Sequence, residues 1–510
     1  MKPSHFIVPA LVCCAVVGSA QTATHSVAVP AAISAIREAD IKRDLYQLAS
    51  DAMRGREAGT LDELRASVWV SEQMQKIGLK PLGDFGSWFQ WWNMRRTRIS
   101  TPNSSVTLAG KPLTLWSDVT PVTNVNAELS APTVFGSASD TTLDIRGKVA
   151  IVQIVAPPAA QVRSTTNTYE YNYTRAAIVD QGNKLISRGA AGVIFVADSI
   201  AEIAFNGLGV IQSRGAYTVV DGAPLVTGRT PNPNALTTLR QPTTQIPLFI
   251  VHGSALADWR KDGQAVTVSI RSESFDYPSN NVIGVVRGTD PKLRDEYVLF
   301  SAHTDHDGVR YPLAGDSIWN GADDNASTSA AVLAIARAFV QHPAKRSALF
   351  IINGAEERGL LGSRYHAAHP VVPITSIAAV LNGDMIGRNN RDTAGLLGSQ
   401  PPHRNSMQLV QMAFDANNAT GKFAIDSTWD RPTHPEGFYF RSDHLWYASL
   451  KIPTIYFTTE LHSDYHTPRD EASRIDYAKL THMAKWIYMT GWLAANAPVR
   501  PALDPGFVLH

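Results

Sequence analysis

The sequence predicts an α/β fold, a mostly parallel mixed sheet with helices on both faces, joined by a smaller inserted α/β unit. Three observations predict it. From Asn281 onward, short apolar runs at Val282–Val286, Val298–Ser301, Ala348–Asn353, Ala378–Asn382 and Thr454–Phe457 alternate with helical stretches, the pattern of strands buried under helices on both faces. Between about Thr120 and Ser272 a second set of strand and helix signals appears. At 510 residues the chain also exceeds the roughly 100 to 200 residues of one ordinary domain.

Taken in order, the first residues read as an export leader. Lys2 precedes the apolar run Phe6 to Val17, and Gly18-Ser19-Ala20 offers the small residues at which a leader is cut. Residues 1–20 are therefore expected to be removed, giving a periplasmic or secreted product. Cys13 and Cys14 lie inside this segment, so the mature chain would hold no disulfide and no thiolate ligand. No later run has the roughly 20 apolar residues of a membrane span, so no stable membrane insertion is expected once the leader is gone. Net charge is +1, from 46 Lys and Arg against 45 Asp and Glu. That balance gives no global field for nucleic acid.

Residues 21–119 are expected to begin the main domain. Apolar residues recur at helical spacing from Ile33 to Ile77, broken at Met53 to Thr60 by two glycines and a threonine, which reads as helix, loop, helix. The aromatic and arginine-rich stretch Trp88 to Ile99 reads as a strand on a sheet edge. Over residues 120–272, strands are expected at Gly147 to Gln153, Val193 to Val196 and Ile246 to Val251, with a helix over Ser254 to Lys261. This unit holds no cluster of ligand-type residues, so it reads as a packing or substrate-screening module.

Residues 273–510 carry the chemistry. Each strand there after the first leads into an acid or a histidine: His303-Thr304-Asp305, Gly354-Ala355-Glu356-Glu357, Gly383-Asp384, and Tyr465-His466. In addition, Asp323-Asp324 opens the helix expected from Ser327 to Val340. Taken singly, such residues have plainer explanations, as helix caps or partners of a helix dipole. Caps give no reason for the set to recur after successive strands, whose carboxyl ends gather on one edge of a parallel sheet. A metal centre does. Nitrogen and carboxylate donors without sulfur suit zinc, with manganese and cobalt as alternatives, and five of them exceed the needs of one ion. Two Zn2+ per chain sharing a carboxylate, poised to activate water for hydrolysis, fit the count.

The motifs His-x-Asp, Gly-Ala-Asp-Asp-Asn-Ala-Ser, Ala-Glu-Glu-x-Gly-Leu-x-Gly-Ser, Asp-Met-x-Gly and Tyr-His-Thr-Pro occur in that order from Asn281 to Ala494. In them the chain resembles the di-zinc aminopeptidases of metallopeptidase family twenty-eight, with their three-layer sandwich. Gly55-Arg56 and Gly59-Thr60 resemble the family's early loop, and residues 120–272 resemble its inserted protease-associated domain. The resemblance implies an aminopeptidase acting on peptide substrates, with the oligomeric state, a monomer included, left open. It implies that His303, Asp324 and Asp384 bind one zinc, and that Asp324, Glu357 and His466 bind the other. It also implies a cis peptide bond at Asp324-Asn325. Glu356 would be the general base, Asp305 would orient His303, and Tyr465 would stabilise the oxyanion. Arg441, Asp443 and His444 would help position substrate. His306, His434, His444 and His462 are expected to stay outside the ligand set. Glutaminyl cyclases share the pattern with one zinc, and receptor relatives share the fold without ligands. A glutamate-type carboxypeptidase would need a basic pocket, for which Arg441 and Arg388 are candidates.

Overall fold

The computed structural model describes residues 27–159, 162, 169–221, 246–313 and 315–509. The expected leader and both cysteines lie outside the described residues. The large sheet runs, edge to edge, through Ala424–Asp426, Thr393–Leu397, Thr454–Thr458, Ile377–Gly383, Tyr297–His303, Ser347–Asn353, Ser272–Val286, Phe89–Ile99 and Ala216–Val219. Its centre is parallel: Tyr297–His303 pairs in parallel with both Ser347–Asn353 and Ile377–Gly383, and the latter with Thr454–Thr458. Antiparallel strands flank this centre on both sides.

Strand periodicity divides the core. Val298, Phe300 and Ala302 point to one face, where the helices Leu61–Ile77, Thr328–Gln341 and Tyr477–Asn496 cover them. Tyr297 and Leu299 point to the other, beneath Leu361–Ala368 and His444–Ser449. Successive side chains alternate faces, so one apolar run supplies both cores and the molecule acquires three layers. The central strands stay fully buried, which is why they read as continuous apolar runs.

The smaller sheet runs through Lys111–Leu113, Ser105–Leu108, Ala265–Ile270, Ala127–Phe135, Val149–Gln153, Gly192–Val196, Leu248–Val251 and Val119–Pro121. Helices Tyr169–Ser187 and Ser199–Arg214 pack on one of its faces. Three features depart from the sequence reading. Ser105–Leu108 and Lys111–Leu113, within the 21–119 expected to begin the main domain, join the smaller sheet, because Ser105–Leu108 pairs with Ala265–Ile270. Phe89–Ile99 is not at the edge, because Ala216–Val219 pairs outside it; a four-residue strand flanked by Gly215 and masked by the neighbouring helix pattern gave no period to recognise. That strand also carries the chain from the smaller unit directly onto the larger sheet. The expected helix over Ser254 to Lys261 shortens to a turn at Gly253–Ala255 and one helical turn at Leu256–Trp259. Among the described residues no helix is long and apolar enough to cross a membrane.

Candidate metal centre

The four parallel strands deliver their carboxyl ends to one edge of the sheet, and the sequence places an acid or a histidine at or just beyond each end. His303 is the last residue of its strand, Asp384 follows Gly383, and Glu356 and Glu357 come three and four residues after Asn353. Asp324 lies in the irregular turn that opens Thr328–Gln341, and its peptide bond to Asn325 is cis, as the resemblance implies. His466 sits in the loop after Thr454–Thr458, with a positive φ of 50°.

Two clusters of donor atoms result: His303, Glu356 and Asp384 in one, and His306, Asp324, Glu357 and His466 in the other. Asp324 faces both. Its Oδ1 lies 3.4 Å from His303 Nε2, and its Oδ2 lies 3.1 Å from His466 Nε2. His303 Nε2 is also 3.5 Å from Asp384 Oδ1 and 3.7 Å from Glu356 Oε2. His466 Nε2 is 3.2 Å from Glu357 Oε1.

Electrostatics explain why these groups call for a cation. Burial of His303 opposes its charge, yet the carboxylates of Glu356, Asp384 and Asp324 hold its pKa well above the ordinary range. Burial, with Asp384 and Glu357 nearby, pushes Glu356 well up, and burial likewise raises Asp384. Against burial, His303 and His466 hold Asp324 low, and His466 and His306 do the same for Glu357. Buried acids this close cannot all ionise without positive charge among them. His303 Nε2 and Asp384 Oδ1 are buried and lack a hydrogen-bond partner, although buried polar atoms are ordinarily paired. Lone pairs of nitrogen and carboxylate oxygen converging on one small space fit zinc, with no sulfur required.

Around these groups lies a second ring of contacts. Asp305 accepts the backbone N–H of Glu356 at 2.9 Å and of Glu357 at 3.1 Å. His303 Nδ1 meets the Asp305 carbonyl at 3.2 Å, closer than the 3.7 Å to its carboxylate, so the nearer acceptor beside the histidine is the Asp305 backbone. Ser442 donates to Asp384 Oδ2 at 2.8 Å and accepts from Asn382 at 2.8 Å. Asp470 accepts the backbone N–H groups of Asp323 and Asp324. Arg56, fully buried, donates to the carbonyls of Thr304, Leu48, Asn320 and Gly321, tying the early loop to two of the ligand loops. Glu63 accepts the Ala355 N–H at 3.1 Å, next to Glu356.

The remaining sequence candidates divide. The Tyr465 ring lies 3.9 Å from that of His466, and its oxygen accepts from Arg441 at 2.9 Å. Asp443 is buried and accepts from Asn353 at 2.9 Å; burial raises its pKa to about 7. The structure does not bring His444 to the donor clusters: its ring packs 4.8 Å from each of Tyr439 and Tyr456, and burial lowers its pKa to about 3. His434 stacks 4.3 Å from Trp429, and His462 Nε2 lies 3.5 Å from Asp323. His306, expected outside the ligand set, lies among the donor atoms of the second cluster, its Nδ1 2.9 Å from Glu357 Oε1. Sequence reading also passed over Asp307, whose Oδ2 is 3.5 Å from His466 Nδ1. The alternation His303, Asp305, Asp307 was the available signal.

Residues 281–490 match the model of Peptidase family M28. A probable zinc metalloprotease of Pyrenophora teres f. teres is 26% identical over 248 residues, 45% of this chain and 52% of that protein. Aminopeptidase YwaD of Bacillus subtilis is 26% identical over 256 residues, 48% of this chain and 51% of that protein. The chain thus spans about half the length of these curated relatives. The solved structure of a zinc aminopeptidase from Bacillus subtilis superposes with a TM-score of 0.56 at 19% identity, covering 90% of this chain and 96% of that one. An aminopeptidase from Aneurinibacillus sp. strain AM-1 gives 0.56 at 18% identity, covering 93% and 97%. At these identities the likeness is one of fold.

Proposed function

The chain belongs to Peptidase family M28 through residues 281–490, and from that premise we propose that it is a zinc-dependent aminopeptidase that releases N-terminal residues from peptides. The observation that carries the reading is the placement of Asp324, one oxygen toward His303 and the other toward His466. In this reading His303, Asp324 and Asp384 hold one zinc ion, and Asp324, Glu357 and His466 hold the other. Bound there, zinc supplies Lewis acidity that lowers the pKa of water and polarises a carbonyl.

The chain's own residues do the rest. Glu356, 9% exposed and raised in proton affinity by burial beside Asp384 and Glu357, takes a proton from the attacking water and passes it to the leaving amine. Tyr465, its oxygen held by Arg441, donates its O–H to the developing oxyanion. Asp305 fixes the glutamate pair by both backbone N–H groups. His466, with 30% of its side chain exposed against 1% for His303, marks the side from which substrate arrives.

Two arginines bear on whether the free end is an amine or a carboxylate. Arg441 pairs with Glu436 at 2.9 Å, and Arg388 pairs with Asp464 at 2.6 Å. Both guanidiniums already have carboxylate partners, which favours aminopeptidase over carboxypeptidase action. A purified-enzyme assay on peptides with free or acetylated amino ends tests the reading. Trimming from free amino ends alone is expected; equal cleavage of acetylated peptides would refute it. Export with cleavage after Ala20 belongs to the same proposal, and amino-terminal sequencing of the extracytoplasmic product checks it.

A further inference from the structure

His466 presents Nε2 to Asp324 and Glu357, and on its far side Nδ1 lies 3.5 Å from Asp307 Oδ2. A histidine that holds a metal through one nitrogen is ordinarily steadied by a carboxylate or carbonyl at the other. Asp307, 3% exposed, stands at that place. Its other oxygen, Oδ1, is held by guanidiniums: Arg214 at 3.1 Å, Arg358 at 3.6 Å, and Arg310 in direct contact. Arg310 and Arg358 belong to the same part of the chain as the donor clusters. Arg214 does not.

Arg214 is the last residue of Ser199–Arg214, a helix packed on the smaller sheet. Its position is fixed from behind. Arg96 donates to the Arg214 carbonyl at 2.6 Å. The next residue, Gly215, has φ +78° and approaches the larger sheet so closely that a Cβ there would lie 2.1 Å from the Thr97 carbonyl. The chain then pairs as Ala216–Val219 with Phe89–Ile99. The helix end is thereby joined to the larger sheet at the point from which its arginine reaches Asp307.

We propose that Arg214 is a positioning residue for the metal centre: it holds Asp307 Oδ1 so that Oδ2 accepts the Nδ1–H of His466. The smaller α/β unit thereby completes the surroundings of a ligand that the larger sheet supplies. Carboxylate pinning by a forked guanidinium is directional, whereas a lysine offers charge without the fork. The inference rests on the reading of His466 as a zinc ligand.

The experiment is chelator-competition titration of zinc on purified full-length protein, with kcat and KM measured on a free-amine peptide, for His466→Ala, Asp307→Asn, Arg214→Ala, Arg214→Lys and the Arg214→Ala/Asp307→Asn pair. Asp307→Asn is expected to weaken zinc binding by about tenfold to hundredfold, and Arg214→Ala to weaken it in the same direction by part of that factor. Arg214→Ala should lower kcat with KM little changed, Arg214→Lys should recover some of the loss, and Arg214→Ala should add nothing once Asp307 is Asn. An Arg214→Ala effect that persists in the Asp307→Asn background, or zinc affinity within twofold of the parent, would overturn the proposal while leaving the zinc reading intact. Undiminished zinc binding by His466→Ala would overturn both. If Arg214→Ala does not fold, the same cycle is run with Arg214→Lys, where a loss independent of Asp307 overturns the proposal.

Discussion

Removing the Arg56 guanidinium should destabilise the fold and loosen the ligand loops together. Its four donated bonds, at 2.5, 2.8, 2.6 and 2.8 Å, end on the carbonyls of Thr304, Leu48, Asn320 and Gly321. Hydrogen bonds from a charged donor contribute about 1.5 to 3 kcal/mol each, so four give roughly 6 to 12 kcal/mol. Two effects reduce this. Burial lowers the guanidinium pKa from its ordinary value to about 10, a cost of about 3 kcal/mol that the variant no longer bears. Water entering the vacated space would satisfy some of the carbonyls. For Arg56→Ala a loss of about 3 to 6 kcal/mol remains, a large part of the 5 to 15 kcal/mol that stabilises an ordinary domain. Arg56→Lys separates charge from geometry, since an ammonium on a flexible stem cannot span four carbonyls in one plane; it should lose at least half as much. Urea unfolding of chelator-treated protein measures both losses without metal binding in the balance. A loss below about 1 kcal/mol for Arg56→Ala, or a lysine variant as stable as the parent, would refute the argument.

Other outcomes follow from the same structure. Glu356→Gln should cut kcat by about a hundredfold to ten-thousandfold while zinc content by metal analysis stays unchanged; near-parental turnover by a loaded, folded variant would remove the base role. Burial, then the nearby Asp305, raises the Glu63 pKa from 4.5 to about 8. The folded state therefore binds more protons than the unfolded state between those values, and this group's contribution to stability falls as pH rises through that window. Glu63→Gln lacks the term, so its stability relative to the parent should improve by a few kcal/mol between pH 5 and pH 8, and a gap in urea midpoints that does not change with pH would contradict this. At Gly491 a Cβ would lie 2.2 Å from Phe300 Cζ, in a ring cluster with Phe339 and Phe350. Gly491→Ala should cost about 1 to 3 kcal/mol by overpacking, and Phe300→Leu in the same chain should recover part of it.

What the sequence made legible was whatever depends on neighbours along the chain. Strands buried on both faces show as apolar runs, and the first polar residue beyond each run marks the strand end, so His303, Glu356 and Asp384 could be picked out before their distances were known. Residues defined by distant partners could not. Arg56 stands in the loop that resembles the family's early one, but nothing near it along the chain names its acceptors, which include residues 248, 264 and 265 positions away. Asp307 gains its meaning only from His466 and from Arg214, 93 positions earlier. No spacing rule connects them, because the helix that carries Arg214 packs on a different sheet. Adjacent carboxylates show the same limit at closer range. Asp323 and Asp324 are chemically alike, but Asp323 Oδ1 turns back to accept the Gly387 N–H at 2.7 Å, while Asp324 faces the two histidines. Composition cannot choose between them; backbone direction does. At Asp324 the chain departs from helical geometry, with φ −104° and ψ 93°, and that departure turns one carboxylate toward the clusters and leaves its neighbour to brace the loop after Asp384. The specificity of the centre therefore resides less in which acids are present than in the loops that aim them, and those loops are held by Arg56, Asp470 and Glu63, none of which belongs to either donor cluster.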